Sequence, residues 1–161
     1  MRLVHSIVLG VSLLIAAAPT QAMASPGAGA HPFELSSTGH IVVPAEINRR
    51  AVYLVVDTGA AASVIDAAAA ESLGMTPAAG ADAVATGAGG AGLRLQTSHG
   101  NQFRFAGTET SDFTFRIMDL GHVVRALAAD GRPIIGVVGV DWLERHGATI
   151  SYSERTISTT R

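Results

Sequence analysis

The sequence predicts a mostly β domain with one or two short helices. Three observations carry this. Stretches such as "LRLQT", "FRFAG", "DFTFRIMDL" and "ATISYSERTIS" alternate apolar and polar residues with period two, the pattern of half-buried strands. Eighteen glycines punctuate a 161-residue chain, so the apolar runs between them are short. Helical signals are confined to an Ala-rich stretch and one short segment near the C-terminus. The chain is long enough for a single domain of ordinary size, and 48% hydrophobic residues against 15% charged suit a packed core.

Residues 1–24 are expected to be a leader and not part of the fold. Arg2 precedes an apolar segment from Ile7 to Ala18, and Ala22-Met23-Ala24 gives a small-x-small cleavage pattern before Ser25. The apolar segment is well short of the ~20 residues a spanning helix needs, so a secretory signal fits better than an anchor. Export to the periplasm or outside the cell, with no stable membrane anchor after cleavage, is therefore expected. Loss of Arg2 would shift the net charge from −2 to −3, since ten Arg would face thirteen acids. Residues 25–37, opening with "PGAGAHP" after Ser25, read as a flexible lead-in, and 38–161 as the domain.

Along the domain, "HIVVPAEINRRAVYLVVD" reads as a hairpin. Its first strand covers Ile41 to Val43, it turns near Asn48-Arg49, and its second strand covers Val52 to Val56. Pro44 marks an edge or a break. "AAASVIDAAAAESLGM" reads as a helix, with Gly74 at its C-terminal cap. "DWLERHG" has room for two helical turns closed by Gly147.

Composition excludes several classes of function. There is no Lys and no basic run, so a grip on nucleic acid is not expected. There is no Cys, which removes disulfides, thiolate metal sites and a Cys nucleophile. His31, His40, His99, His122 and His146 lack metal-ligand spacing and read as surface or core residues, so neither metal nor cofactor is expected. "GAGGAG" (Gly87 to Gly92) formally fits a dinucleotide fingerprint, but alternation resumes at Leu93 where that motif needs a helix. A hairpin tip is the plainer reading.

The remaining pattern is Asp57-Thr58-Gly59, delivered by the apolar run "YLVV". Driving a carboxylate to the end of such a strand is costly unless something compensates it. Downstream, "IIGVVGVDWLERHG" supplies a second apolar strand, a Val137-Val138-Gly139 triplet and a short helix. Taken together these residues resemble the retropepsin-like aspartic proteases, the retroviral-protease fold, in its exported bacterial form. Asp57, Thr58, Gly59 and Ala60 match the catalytic loop. Gly87, Ala88, Gly89 and Gly90 match the substrate-binding flap, Val137, Val138 and Gly139 the support beneath the loop, and Trp142 to Gly147 the helix. The resemblance spans roughly residues 38–157. Val140 and Asp141 stand where the viral enzymes carry a basic residue, and "ERTISTTR" has no clear counterpart to their interleaved terminal strands.

The resemblance implies a closed β fold with one half-site per chain. Two chains would meet at their D-T-G loops as a homodimer, and the paired Asp57 carboxylates would share a proton and activate a water against a peptide bond. Thr58 would hydrogen-bond across the dimer, and the flap would close over a peptide or unfolded protein. Two other readings stand beside it: a catalytically silent peptide-binding or interaction module of the same fold, and an ordinary β domain whose Asp57 caps a turn.

Overall fold

A computed structural model describes residues 29–79, 83–87, 90–128 and 131–160. The leader expected over 1–24 lies outside them, as do residues 25–28 of the lead-in and the flap positions Ala88 and Gly89.

The hairpin forms as its sequence predicts. β3 (Ile41–Ile47) and β4 (Arg50–Val56) pair antiparallel through a two-residue turn at Asn48 and Arg49. Both turn residues have positive φ, 49° and 67°, the twist that matches a right-handed hairpin. β3 runs straight through Pro44. On that side β3 pairs β2 (Glu34–Leu35) at residues 41–42 and the long strand β7 (Gly90–Phe105) at residues 45–47. Pro44 falls between the two partners, where its missing N–H breaks no ladder bond.

The Ala-rich segment departs from the expected single helix. Val64–Asp66 form a short strand, β5, lying parallel to β8 (Thr108–Met118) and antiparallel to β9 (Ile134–Val138). Only Ala67–Ala70 are α-helical (α1), followed by a 3-10 turn at Glu71–Leu73. Two β-branched residues wedged between two strands override the helical propensity of the alanines around them. Gly74 closes the turn in the left-handed conformation, as its position predicts.

β3, β4, β9, β5, β8 and β7 follow one another around a ring, which the pairing of β7 with β3 (Ala45 opposite Phe105) closes. β7 merges the two strands expected at "LRLQT" and "FRFAG". It stays continuous through irregularities near Ser98 and Asn101, where Gly100 takes positive φ. "ATISYSERTIS" instead splits into a hairpin, β10 (Thr149–Ser151) and β11 (Thr156–Ser158). β1 (Ala30–Pro32) pairs with the free side of β11, so the stretch expected as a flexible lead-in contains strand at Ala30–Pro32 and, in β2, at Glu34–Leu35. Backbone pairing to β11 supplies the order that its composition does not suggest.

The period-two aromatics fill the ring. Phe103 of β7 meets its strand neighbour Phe105 and Phe113 and Phe115 of β8, all with at most 3% exposure. Trp142, on α3 (Val140–Arg145), is fully buried edge-on to Phe105 at 4.7 Å and fixes that helix against the barrel. α2 (Gly121–Leu127) lies between β8 and β9 and has no forerunner in the sequence reading.

Candidate active site

β4 ends at Val56 and releases the chain at Asp57, beside the end of β9. Asp57 N–H donates to Val138 O at 3.0 Å, continuing the parallel ladder that sets Val55 opposite Val137 and Val56 opposite Val138. The loop then turns on itself: Ala60 N–H donates to Asp57 O (3.2 Å), and Gly59 N–H to Asp57 Oδ1 (2.8 Å). Val140 N–H returns to Ala60 O at 2.8 Å. The triplet Val137-Val138-Gly139 thus lies directly behind Asp57-Thr58-Gly59, as the resemblance implied.

Gly139 is required there by close approach. A Cβ at this position would sit 2.6 Å from Ala60 O and 2.6 Å from Ala62 C, both backbone atoms. The loop therefore packs main chain on main chain.

A brace that the sequence reading missed holds this contact. Ser63 is fully buried. Its hydroxyl accepts from Gly139 N–H (3.0 Å) and donates to Asp141 Oδ1 (2.7 Å), while Ser63 N–H donates to Asp141 Oδ2 (2.9 Å). Asp141 Oδ1 also accepts from Trp142 N–H in the first turn of α3. Asp141 occupies part of the region where the viral enzymes place a basic residue, and here it ties the loop to α3 within one chain. Ser63 and Asp141 are 78 residues apart, so no local signal links them; only an acid in the first turn of a helix hinted at a cap.

The tip of the loop is open. Asp57, Thr58 and Gly59 are exposed. Among the described residues, Gly59 N–H is the hydrogen-bond partner of the Asp57 carboxylate. Thr58 edges a shallow groove with Val140, Leu143, Glu144, Ala148 and Ile150. The site thus presents one accessible carboxylate on a stiff backbone, able to accept or donate a proton, with no second acid from its own chain placed beside it by any contact among the described residues.

The flap residues are placed in part. Gly87 ends β6 (Ala83–Gly87) and Gly90 begins β7, paired across a hairpin whose tip positions, Ala88 and Gly89, lie outside the described residues. A strand and not a helix follows the glycines, so the dinucleotide fingerprint lacks its structural context. Among the described residues no group of three or more His, Asp or Glu side chains could hold a metal ion, and no helix is long and apolar enough to cross a membrane.

The fold recurs in solved structures. A retropepsin-like aspartic protease from Rickettsia conorii aligns with a TM-score of 0.56 at 20% identity, over 80% of this chain and 97% of that one. The retroviral protease-like domain of Ddi1 from Leishmania major aligns with a TM-score of 0.55 at 23% identity, over 76% and 89%. The EIAV protease complexed with the inhibitor HBY-793 aligns with a TM-score of 0.54 at 17% identity, over 73% and 98%. No functionally curated protein matches the sequence. The sequence profile of the aspartyl protease family matches residues 43–142, from the middle of β3 through the buried Trp142. The chain belongs to the aspartyl protease family and has the retropepsin-like fold.

Proposed function

We propose that this protein is an aspartic endopeptidase whose active site forms between two copies of the chain. One observation carries the reading. Asp57 is exposed on a loop braced from behind by Val138, Gly139, Ser63 and Asp141, yet among the described residues its carboxylate has only a backbone N–H as partner. A turn-capping aspartate needs no such support. A catalytic carboxylate does, because reacting groups must be held within a fraction of an ångström of their productive positions.

In the dimer the Asp57 carboxylates face each other and share one proton. The ionised one takes a proton from a water, and the protonated one donates to the scissile carbonyl or the leaving nitrogen. Thr58 and the apolar lining of its groove supply contact surface for the second copy. The β6–β7 hairpin closes over an extended peptide and pairs with its backbone. The leader pattern of residues 1–24 supports export, so the substrates are peptides or unfolded proteins of the periplasm or the exterior.

The test combines Asp57→Asn with dilution. The variant should keep its size and melting behaviour and lose cleavage by several orders of magnitude. Wild-type specific activity should fall as the protein is diluted through its dimer dissociation constant. Added Asp57→Asn protein should inhibit the wild type by forming heterodimers with a single carboxylate. Activity strictly proportional to enzyme at all concentrations, or an active Asp57→Asn, overturns the shared site. A dimer that binds peptides and never cuts them is a binding module instead.

A further inference from the structure

A polar cavity of about 490 Å³ opens at the start of β4, and its lining includes no residue of the Asp57 loop. Its walls come from three stretches: the β3–β4 turn, the turn that follows α1, and the irregular part of β7. Arg50 and Asp57 are seven steps apart, roughly 23 Å along an extended strand. The guanidiniums of Arg49 and Arg50 line the cavity, with the imidazole of His99 and one acid, Glu71. Among the described residues neither of these arginines forms an ion pair, although Arg104 and Arg132 each do. His99 Nδ1 lies 3.0 Å from Thr114 Oγ1, which fixes the ring, and its Nε2 has no hydrogen-bond partner among the described residues.

The backbone of the turn singles out one of these side chains. A two-residue hairpin turn with positive φ at both positions favours asparagine at the first and glycine at the second. Asn48, at φ 49°, fits that preference. The second position, at φ 67°, holds Arg49, whose Cβ makes the left-handed region costly. Strain of this kind persists only where the surroundings fix it, and it gathers at ligand-binding positions. The fixing is visible here. The Asn48 side chain is tied to Leu73 O, Asn101 Oδ1 and Gln102 N–H, and the buried Asn101 is tied in turn to Ser98 O. A buried network thus holds one wall of the cavity still, and that wall carries an arginine that the turn geometry disfavours.

We propose that this cavity binds a phosphate group between Arg49 and Arg50, as inorganic phosphate or on a small polar phosphomonoester. Two guanidinium forks offer more donors than the two oxygens of a carboxylate take up, whereas a phosphate presents at least three terminal oxygens. Thr76 and Gln102 add exposed polar groups to the lining, which suit the hydroxyls of a phosphorylated sugar or a similar small molecule. Two arginines grip one phosphate and not a row of them, so the site does not make the chain a nucleic-acid binder. The inference is independent of peptide cleavage and of the second copy.

The test titrates the purified protein with inorganic phosphate at constant ionic strength, with sodium chloride as the control. Thermal midpoint and amide NMR shifts are the readouts, and neither needs cleavage. Phosphate should raise the midpoint saturably, with shifts centred on Arg49, His99 and Gly100. Arg50→Gln should weaken phosphate by about tenfold. Arg49→Gly is the decisive variant. It removes a guanidinium and relieves the left-handed backbone, so it should raise the midpoint of the free protein while weakening phosphate by about tenfold. An arginine kept only for the fold would not give these opposed effects. Arg104→Gln, which loses an arginine already paired with Glu46 and Glu109, should leave phosphate affinity unchanged. Tighter binding of glucose 6-phosphate than of inorganic phosphate identifies a phosphomonoester as the occupant, and equal binding identifies the free ion. An equal response to chloride, shifts centred elsewhere, or no saturable response at all overturns the site. So does a lowered free midpoint in Arg49→Gly, or unchanged phosphate affinity in either Arg49→Gly or Arg50→Gln.

Discussion

The two ends of β4 carry comparable polar networks with different outcomes. At its start, Asn48 joins the hairpin turn to its surroundings. Its amide donates to Leu73 O (2.9 Å) and Asn101 Oδ1 (3.0 Å), and its carbonyl oxygen accepts from Gln102 N–H (2.9 Å). Asn101, 2% exposed, donates in turn to Ser98 and to Phe113 O. Every side-chain polar atom of that pair has a partner inside one chain. At the other end of β4, Ser63 and Asp141 are as fully engaged, but what they brace is an exposed carboxylate. One network finishes a fold. The other holds an exposed carboxylate still, and that is the physical case for the second chain proposed above.

The comparison breaks most sharply at Gly139. Gly139→Ala forces a Cβ against Ala60 O and Ala62 C, backbone atoms that move only if the Asp57 loop moves. Overpacking of this kind costs roughly 1–3 kcal/mol in stability. Displacement of the loop by about 1 Å should lower cleavage by about a hundredfold or more. Loss of activity well beyond the loss of folded protein is the expected result, from kcat measured against the folded fraction.

Removing one member of each network sharpens the contrast. Asp141→Ala leaves the Ser63 hydroxyl and N–H without their acceptor. Asn101→Ala strips a partner from Asn48 and donors from Ser98 and Phe113. Each should cost about 3 kcal/mol by denaturant unfolding, since each orphans buried groups worth about 1–3 kcal/mol apiece. Their kinetics should differ. Asp141→Ala should lose kcat per folded molecule, while Asn101→Ala should keep it. Equal kinetic losses in the two variants would mean that the brace is no more functional than the turn.

Legibility in the sequence followed the range of the interactions. The Asn48-Arg49 turn, the capping Gly74 and the D-T-G loop with its supporting triplet all rest on contacts within a few residues or on a motif, and all were readable. β5 was hidden, because its strand character comes from β8 and β9 lying on either side of it, far away in sequence. The Ser63–Asp141 brace was hidden for the same reason. α2 was hidden because its seven residues are fewer than the stretch over which a helical period can be read. The order of β1 came from β11, at the opposite end of the chain.

The smallest expected effect tests how closed the Asn48 end is. Gly74 terminates the turn after α1 with φ 68°, its N–H on Glu71 O, and the next N–H, of the buried Met75, reaches back to Ala70 O. This paired arrangement is the Schellman closure. It also aims the carbonyl of Leu73 at the Asn48 amide. A Cβ on Gly74 meets nothing within 4 Å, so Gly74→Ala carries no steric clash, only the cost of left-handed backbone, about 1–2 kcal/mol. Gly74→Asn should cost less, because asparagine tolerates that region. Both should lower the denaturation midpoint in that order and leave kcat and KM unchanged, because the strain is local and the Asp57 loop is braced by separate residues. A kinetic defect in either variant would show that the two ends of β4 are coupled through the strand, and would remove the distinction between a finished turn and an unfinished site.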